Sequence, residues 1–133
     1  MHPYLQQDDL VDFCKSEDIL MTAYSPLGSG DRSAAMKGED EPNLMEIDEI
    51  KEIARKNGAS TAQVLINWHN QRGIATIPKS ASKEHIKDNF QAASVQLDND
   101  DMKTIKGLNK NYRFITGKFF EAPEKGYENI YND

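Results

Sequence analysis

The chain has 133 residues, a hydrophobic fraction of 38% and a charged fraction of 29%, which is ordinary globular composition for one domain with a core of modest size. A net charge of −6 argues against duplex nucleic acid, where Lys and Arg must neutralise phosphates, and against an anionic membrane surface. The single cysteine, Cys14, excludes an intrachain disulfide framework. No segment approaches the roughly 20 apolar residues that span a bilayer, and "MHPYLQQDDL" has no basic region leading into an apolar stretch, so the expected setting is cytoplasmic.

The first element, "QDDLVDFCKSED", has the spacing of a short amphipathic helix. Leu10, Phe13 and Cys14 share a face, and Asp8 and Asp9 stand at the end where the helix dipole favours anions. "ILMTAY", residues 19–24, is a short apolar run with the length of a strand buried on both faces. Residues 25–46 read as a long loop, broken by Pro26, Gly28, Gly30, Gly38 and Pro42, with the acidic "GEDEP" solvated in its middle. A loop of that length in a compact domain is often functional.

"IDEIKEIARKNG" follows as a helix with Ile47, Ile50, Ile53 and Ala54 on its apolar stripe and Gly58 as its stop. "STAQVLINWHNQRG" opens with a capping box, Ser60 to Gln63, places Ala62, Leu65, Ile66 and His69 on one face beside Trp68, and ends at Gly73. "IATI", 74–77, is a second short buried strand. A helix begins near Ser82, with Ile86, Asn89, Phe90 and Ala93 along one side. In "LDNDDMKTIKGL", Asp98 is the N-cap and Leu97 with Met102 can form a hydrophobic staple. The tail, 109–133, has little periodicity but carries Tyr112, Phe114, Phe119, Phe120, Tyr127 and Tyr131, as core plugs or as a flap that contacts a ligand.

Strands alternating with helices indicate βαβ units, an α/β fold and a parallel sheet. Two strands alone leave unpaired edges and partly covered helices, so the expectation is that this chain is part of something larger.

Two stretches carry candidate chemistry. In "TIPKSASKEHIKDNF", Lys79 and Ser80 lie just past the C-terminal end of a strand, where parallel α/β folds place ligands. The helix starting at Ser82 offers free N–H groups to an anion, and His85 and Asn89 are one turn apart. A plain N-cap with a surface lysine has the same pattern. "YSPLGSG", 24–30, follows the first strand in the same way. Its serines and glycines can present backbone N–H groups to phosphates, and Tyr24 can stack on a flat ring, although a simple turn fits as well. Neither a Walker lysine nor a GxGxxG pattern is present. Cys14 and His69 read as buried structural residues, and His2, before Pro3, as part of a turn. The three histidines have no ligand spacing with Cys14 or with each other, so no metal site is expected.

Taken together and in order, "HPYLQQDDLVDFCKSEDILMTAYSPLGSGD", "TAQVLINW", "IPKSASKEHIKDNF" and "DDMKTIKGLN" resemble the C-terminal part of the aldo-keto reductases, from residue 2 to about residue 112. The tail resembles that family's variable C-terminal segment more loosely. The resemblance implies a (β/α)8 TIM barrel that binds a nicotinamide cofactor, usually NADPH, and reduces aldehydes or ketones to alcohols. This chain would supply the last two strands, their helices and the tail, residues 1–133 forming the C-terminal portion of the domain. By resemblance, Tyr24 stacks on the nicotinamide, and Ser25, Leu27, Ser29 and Asp31 contact the pyrophosphate under the long loop. Lys79 and Ser80 hold the adenosine 2′-phosphate, and Asn89 faces the adenine. His85 stands where family members carry an arginine, which weakens the expected preference for NADPH and admits NADH.

The family's catalytic Asp, Tyr, Lys and His map to none of these motifs. No catalytic residue is assigned, and Tyr4 and Tyr24 do not replace the acid. The implied partners are a small carbonyl substrate and a missing N-terminal half. The other reading is a truncated, non-catalytic nucleotide-binding or interaction module.

Overall fold

A computed structural model describes residues 1–33, 36–38, 40–117 and 120–128. In chain order the elements are α1 (Asp8–Ser16), β1 (Thr22–Ala23), α2 (Asp48–Lys56), α3 (Thr61–Gln71), β2 (Ala75–Thr76), α4 (Lys83–Gln91) and α5 (Asn99–Lys106). Short 3-10 turns lie at Leu44–Glu46, Ala92–Ser94 and Pro123–Lys125. The two strands pair in parallel, Thr22 opposite Ala75 and Ala23 opposite Thr76, as the alternation of strand and helix predicts.

Local signals hold where they concern helix ends. Ser60 accepts a hydrogen bond from the Gln63 N–H, and the Gln63 side chain accepts one from the Ser60 N–H, completing the capping box. Asp98 and Asp101 form the equivalent box on α5. Lys56, at the end of α2, bridges both of these carboxylates at 2.6 and 2.8 Å and so fastens α2 to α5. Gly58 and Gly73 take positive φ, 59° and 74°, and let the chain leave α2 and α3. The next N–H in each case turns back to close the helix, Ala59 to the Ala54 carbonyl and Ile74 to the His69 carbonyl.

The main core joins Ile50, Ile53 and Ala54 of α2, Val64, Leu65 and Trp68 of α3, and Ile105 of α5. Leu97 and Met102 enter the same cluster, as a staple requires, together with Tyr4, Phe114 and the half-buried Tyr112. These two tail aromatics are therefore core plugs. Phe120 and Tyr127 are exposed, and Phe119 and Tyr131 lie outside the described residues. α3 is buried almost all round, which is why one apolar stripe understates it. Two polar side chains stitch the N-terminal segment to this core. The Gln6 amide donates to the carbonyls of Pro3 and Ile105 at 2.8 and 2.7 Å. Arg72 donates to the Gln6 carbonyl and to Asp8 while its guanidinium covers the Trp68 ring at 4.5 Å.

Three expected apolar faces are not covered. β1 is buried at Ala23 alone, and Leu20 is 75% exposed, so 19–24 is not a strand enclosed on both faces. Among the described residues each strand has a single partner, and α1 packs on the pair through Val11, against Ala23 and Ile74. On α1 the buried residues are Val11 and Cys14, because that side meets the sheet; Leu10 and Phe13 face outward. α4 buries none of its residues, and Phe90 is 84% exposed, although the helix packs on α3 and on the turn Ala92–Ser94. Among the described residues no helix is long and apolar enough to cross a membrane.

His69 is fully buried in α3. Its Nδ1 lies 2.7 Å from the Leu65 carbonyl and its Nε2 lies 3.1 Å from the Met1 carbonyl. Burial pushes its pKa down to about 4, against the pull of those carbonyls. His2 packs its ring on Phe114 with centroids 4.5 Å apart, and burial, reinforced by nearby positive charge, lowers it to about 3. Both rings are neutral in the folded chain at pH 7, whereas in the unfolded chain they titrate near pH 6.5. As pH falls the unfolded state therefore takes up protons first. Stability is at its full value above about pH 6.5 and declines from there toward pH 4, by up to about 1.4 kcal/mol per pH unit for each ring. The urea midpoint, followed through the buried Trp68, should fall across that window, and His69→Gln should flatten part of the slope. A midpoint that is level from pH 7 to pH 4 would show that neither ring is held neutral.

Candidate functional site

Both strands run the same way, so their C-terminal ends emerge side by side. The chain leaves β1 through Tyr24 to Asp31 and leaves β2 through Ile77 to Ser82, and between these two segments lies an open cavity of about 740 Å³. Tyr24, Ser25, Leu27, Ser29 and Asp31 line one side of it, and Lys79, Ser80 and His85 the other. Asn89, one turn further along α4 and half-buried, is not among the lining residues. The cavity thus brings together every residue singled out from the two motifs except Asn89.

The wall after β1 is held in an uncommon conformation. Ser25 and Ser29 both have positive φ, 53° and 52°, and Gly28 between them has φ 84°. Such backbone costs a non-glycine residue about 1 kcal/mol or more and persists only where its surroundings over-determine it. Here the Ser29 hydroxyl donates to the Ser25 hydroxyl at 2.6 Å, and the Gly28 N–H closes a turn on the Ser25 carbonyl. A side chain at Gly28 would press on Leu44, 3.2 Å from where a Cβ would sit, so the turn needs glycine for space as well as for its φ. Tyr24, at the strand end, leaves its ring 69% exposed.

The opposite wall is the N-terminus of α4. Ser82 caps it, accepting from the His85 N–H at 3.4 Å and donating to Glu84 at 2.8 Å. That donation, with the helix N-terminal N–H groups, holds the Glu84 carboxyl below the usual range. Ser80 accepts from the Ser82 N–H at 3.1 Å. Pro78 ends the strand without requiring a ladder donor.

Across the mouth Lys79 Nζ meets Asp31 Oδ2 at 2.9 Å, joining the two walls. The lysine, by hydrogen bond and by charge, holds the Asp31 carboxyl below the ordinary aspartate range. Both side chains are exposed, so the bridge is screened by salt and contributes little to the fold.

The far limb of the long loop also reaches the cavity, through Asn43 and Met45. These residues carry no local mark of such a role beyond a possible cap, and Asn43 is indeed the cap of the turn Leu44–Glu46. The acidic stretch within the loop is not wholly solvated. Glu41 is paired with Arg32, with side-chain exposures of 11% and 7%. The sequence offers no periodicity from which that pair could be read. Tyr4 is buried in the core under the Lys110 ammonium, away from the cavity wall. Cys14 is buried, and among the described residues no group of three His, Cys, Asp or Glu side chains is placed to hold a metal ion.

The sequence profile of the Aldo/keto reductase family matches residues 1–110. The chain belongs to the aldo/keto reductase family, a family of oxidoreductases. It is 45% identical to an aldo/keto reductase of Synechocystis sp., over the whole of this chain and 41% of that protein. It is 44% identical to aldo-keto reductase family 1 member A1 of Gallus gallus, over 86% of this chain and 34% of the relative. It is 42% identical to aldo-keto reductase family 1 member C15 of Rattus norvegicus, over 85% of this chain and 35% of the relative. The chain thus spans about two fifths or less of the length of the curated relatives it matches.

The state of the Asp31–Lys79 bridge can be read directly. In a carboxyl NMR titration Asp31 should titrate below the usual aspartate range, and Lys79→Ala should return it to that range while leaving the urea midpoint unchanged within error. A normal Asp31 titration in the unmodified chain would mean that the walls are not joined in solution.

Proposed function

We propose that these residues form the cofactor-holding end of an aldo/keto reductase that reduces small aldehydes or ketones with a nicotinamide dinucleotide, preferably NADPH. They would be the last two strands of a (β/α)8 barrel with their helices, and 109–133 its variable tail. The observation that carries this reading is the cavity, whose two walls come from sequence stretches some fifty residues apart and combine an exposed ring, paired hydroxyls, a cation and a helix N-terminus.

The residues present fit such a molecule. The Tyr24 ring is open to a flat partner at the strand end. Ser25, Leu27, Ser29 and Asp31 line the wall assigned to the pyrophosphate, where the turned-out backbone of Ser25–Ser29 suits close approach of phosphate oxygens. Lys79 and Ser80 are assigned to the 2′-phosphate, with His85 beside them in place of an arginine. An imidazole can stack on a base but lacks the guanidinium fork that grips a phosphate, so NADH remains admissible. Asn89 is assigned to the adenine side, outside the cavity as it stands. Lys79 must exchange the Asp31 carboxylate for a phosphate, and Asp31, freed, would repel the incoming anion unless it turns away. The cofactor, when bound, supplies hydride to the carbonyl carbon.

Proton donation to the carbonyl oxygen is assigned to none of these residues. Tyr4 is buried in the core, and Tyr24 is occupied in the proposed role of stacking. A second reading, a non-catalytic module that binds a nucleotide or pairs with another chain, is favoured by the uncovered apolar residues beside the strands, Leu20 and Ile77.

NADPH should quench or shift Trp68 or Tyr emission or be seen through its own fluorescence on titration into the purified chain. Lys79→Ala should weaken NADPH by roughly tenfold to a hundredfold, the loss of a charge-assisted contact, and NADH far less. His85→Arg should tighten NADPH relative to NADH. Equal losses for both cofactors would remove Lys79 from the 2′-phosphate. Steady consumption of NADPH with an aldehyde by the purified 133-residue chain would refute the assignment of the acid to residues outside it. Binding without turnover, with a mass above that of one chain in solution, would favour the module.

A further inference from the structure

Asp31 and Arg32 are neighbours whose side chains part company. Asp31 reaches across the cavity mouth to Lys79, and Arg32 turns inward and is almost wholly buried. Arg32 Nε donates to the Ser29 carbonyl at 3.1 Å. Its Nη1 donates to the Phe114 carbonyl at 2.5 Å and to the Met36 carbonyl at 3.1 Å. Its Nη2 pairs with Glu41 and faces the Gly28 carbonyl at 3.5 Å. The guanidinium carbon lies 5.6 Å from the centre of the Phe114 ring. A guanidinium presents five N–H groups in a rigid fork, so one side chain can satisfy carbonyls from three directions, which a lysine ammonium on a flexible stem does not reproduce.

Three pieces of chain therefore meet on Arg32: the turn at Gly28 and Ser29 that forms the cavity wall, the far limb of the loop at Glu41, and Phe114 of the C-terminal segment. Of these, Phe114 also reaches the core. Its ring is buried against His2 and Tyr112, and the Tyr112 N–H is bonded to the Tyr4 carbonyl at 2.9 Å. Arg32 thus serves both sides: the wall leans on it through the Gly28 and Ser29 carbonyls, and the tail through the Phe114 carbonyl. Asp31 and Arg32 are consecutive, so a backbone movement that carries Asp31 away from Lys79 also moves the point from which Arg32 reaches Phe114, whereas a turn of the Asp31 side chain alone does not.

We propose that Arg32 is the positioning residue of the cavity: it holds the wall at 28–33 in shape by tying it to Phe114, and it links the Asp31–Lys79 latch to the order of segment 112–116. The identity of the ligand rests on the cofactor reading above; the tie itself does not. Arg32 lines no part of the cavity and acts through its neighbours.

Hydrogen exchange on the whole 133-residue chain tests this, with Arg32→Lys and Glu41→Gln, each with and without NADPH. Without cofactor, Arg32→Lys should speed exchange of 28–33 and 112–116 together, by about tenfold or more, and leave α2 and α3 unchanged. Glu41→Gln, which spares the carbonyl bonds, should speed exchange near 40–44 and leave 112–116 protected. With NADPH, the unmodified chain should gain protection at 28–33, 79–85 and 112–116, and Arg32→Lys should keep the gain at 79–85 and lose it at 112–116. The proposal is overturned if Arg32→Lys loosens 28–33 alone, or if Glu41→Gln frees 112–116. Should Arg32→Lys unfold the whole chain, the Glu41→Gln result still decides. If NADPH protects nothing in the unmodified chain, the cofactor reading fails, while the cofactor-free comparison still judges the tie.

Discussion

The parallel pairing of β1 with β2 is the constraint from which the rest of the site follows. An antiparallel pair would send its two exits to opposite ends. A parallel pair delivers both to one end, and the intervening α2 and α3 must return the chain past the sheet before β2 can start. Tyr24 and Ile77 thus open onto the same space although two helices and a long loop separate them in sequence. Only two residues of each strand pair, so the register is held chiefly by the packing of Val11, Ala23 and Ile74 beneath it.

Rigid and strained parts are distributed accordingly. The core around Trp68 is locked by apolar packing, by the two capping boxes and by the polar ties of Gln6, Arg72 and Lys56. The cavity walls are loops with left-handed serines, an exposed ion-pair latch and an arginine that suspends one wall from the tail. Stable elements fix where the loops begin and end, and the loops carry the groups that line the cavity. The parallel order of the elements gathers a cation, hydroxyls and a helix N-terminus around one cavity, beside a turn held in left-handed backbone.

Some of this was legible in the residues. Helix ends could be read because capping is chemistry between residues close in the chain: Ser60 with Gln63, Asp98 as the cap of α5, Gly58 and Gly73 at the exits; that Asp101 completes a second box was not read. The two candidate motifs could be read because a strand end followed by a helix start is itself a local pattern. Apolar faces were less reliable. Leu10, Phe13, Ile86 and Phe90 have helical spacing, yet spacing tells which residues share a face and not whether anything covers it. Asn89 shares a face with His85 but sits a turn too far along α4 to reach the cavity.

The sequence by itself determined the α/β order, the positions of the caps, the family and the two stretches that carry the candidate site, since each depends on residues close together in the chain or on their linear order. Tertiary structure alone decided that those stretches face one cavity, that Lys79 latches to Asp31, and that Arg32 joins Glu41 to the carbonyl of Phe114. The physical reason is distance along the chain. The latch spans 48 residues and the Arg32–Phe114 bond spans 82, and no periodicity or propensity acts over such separations. They exist because the fold brings a buried guanidinium to a carbonyl that has to be satisfied.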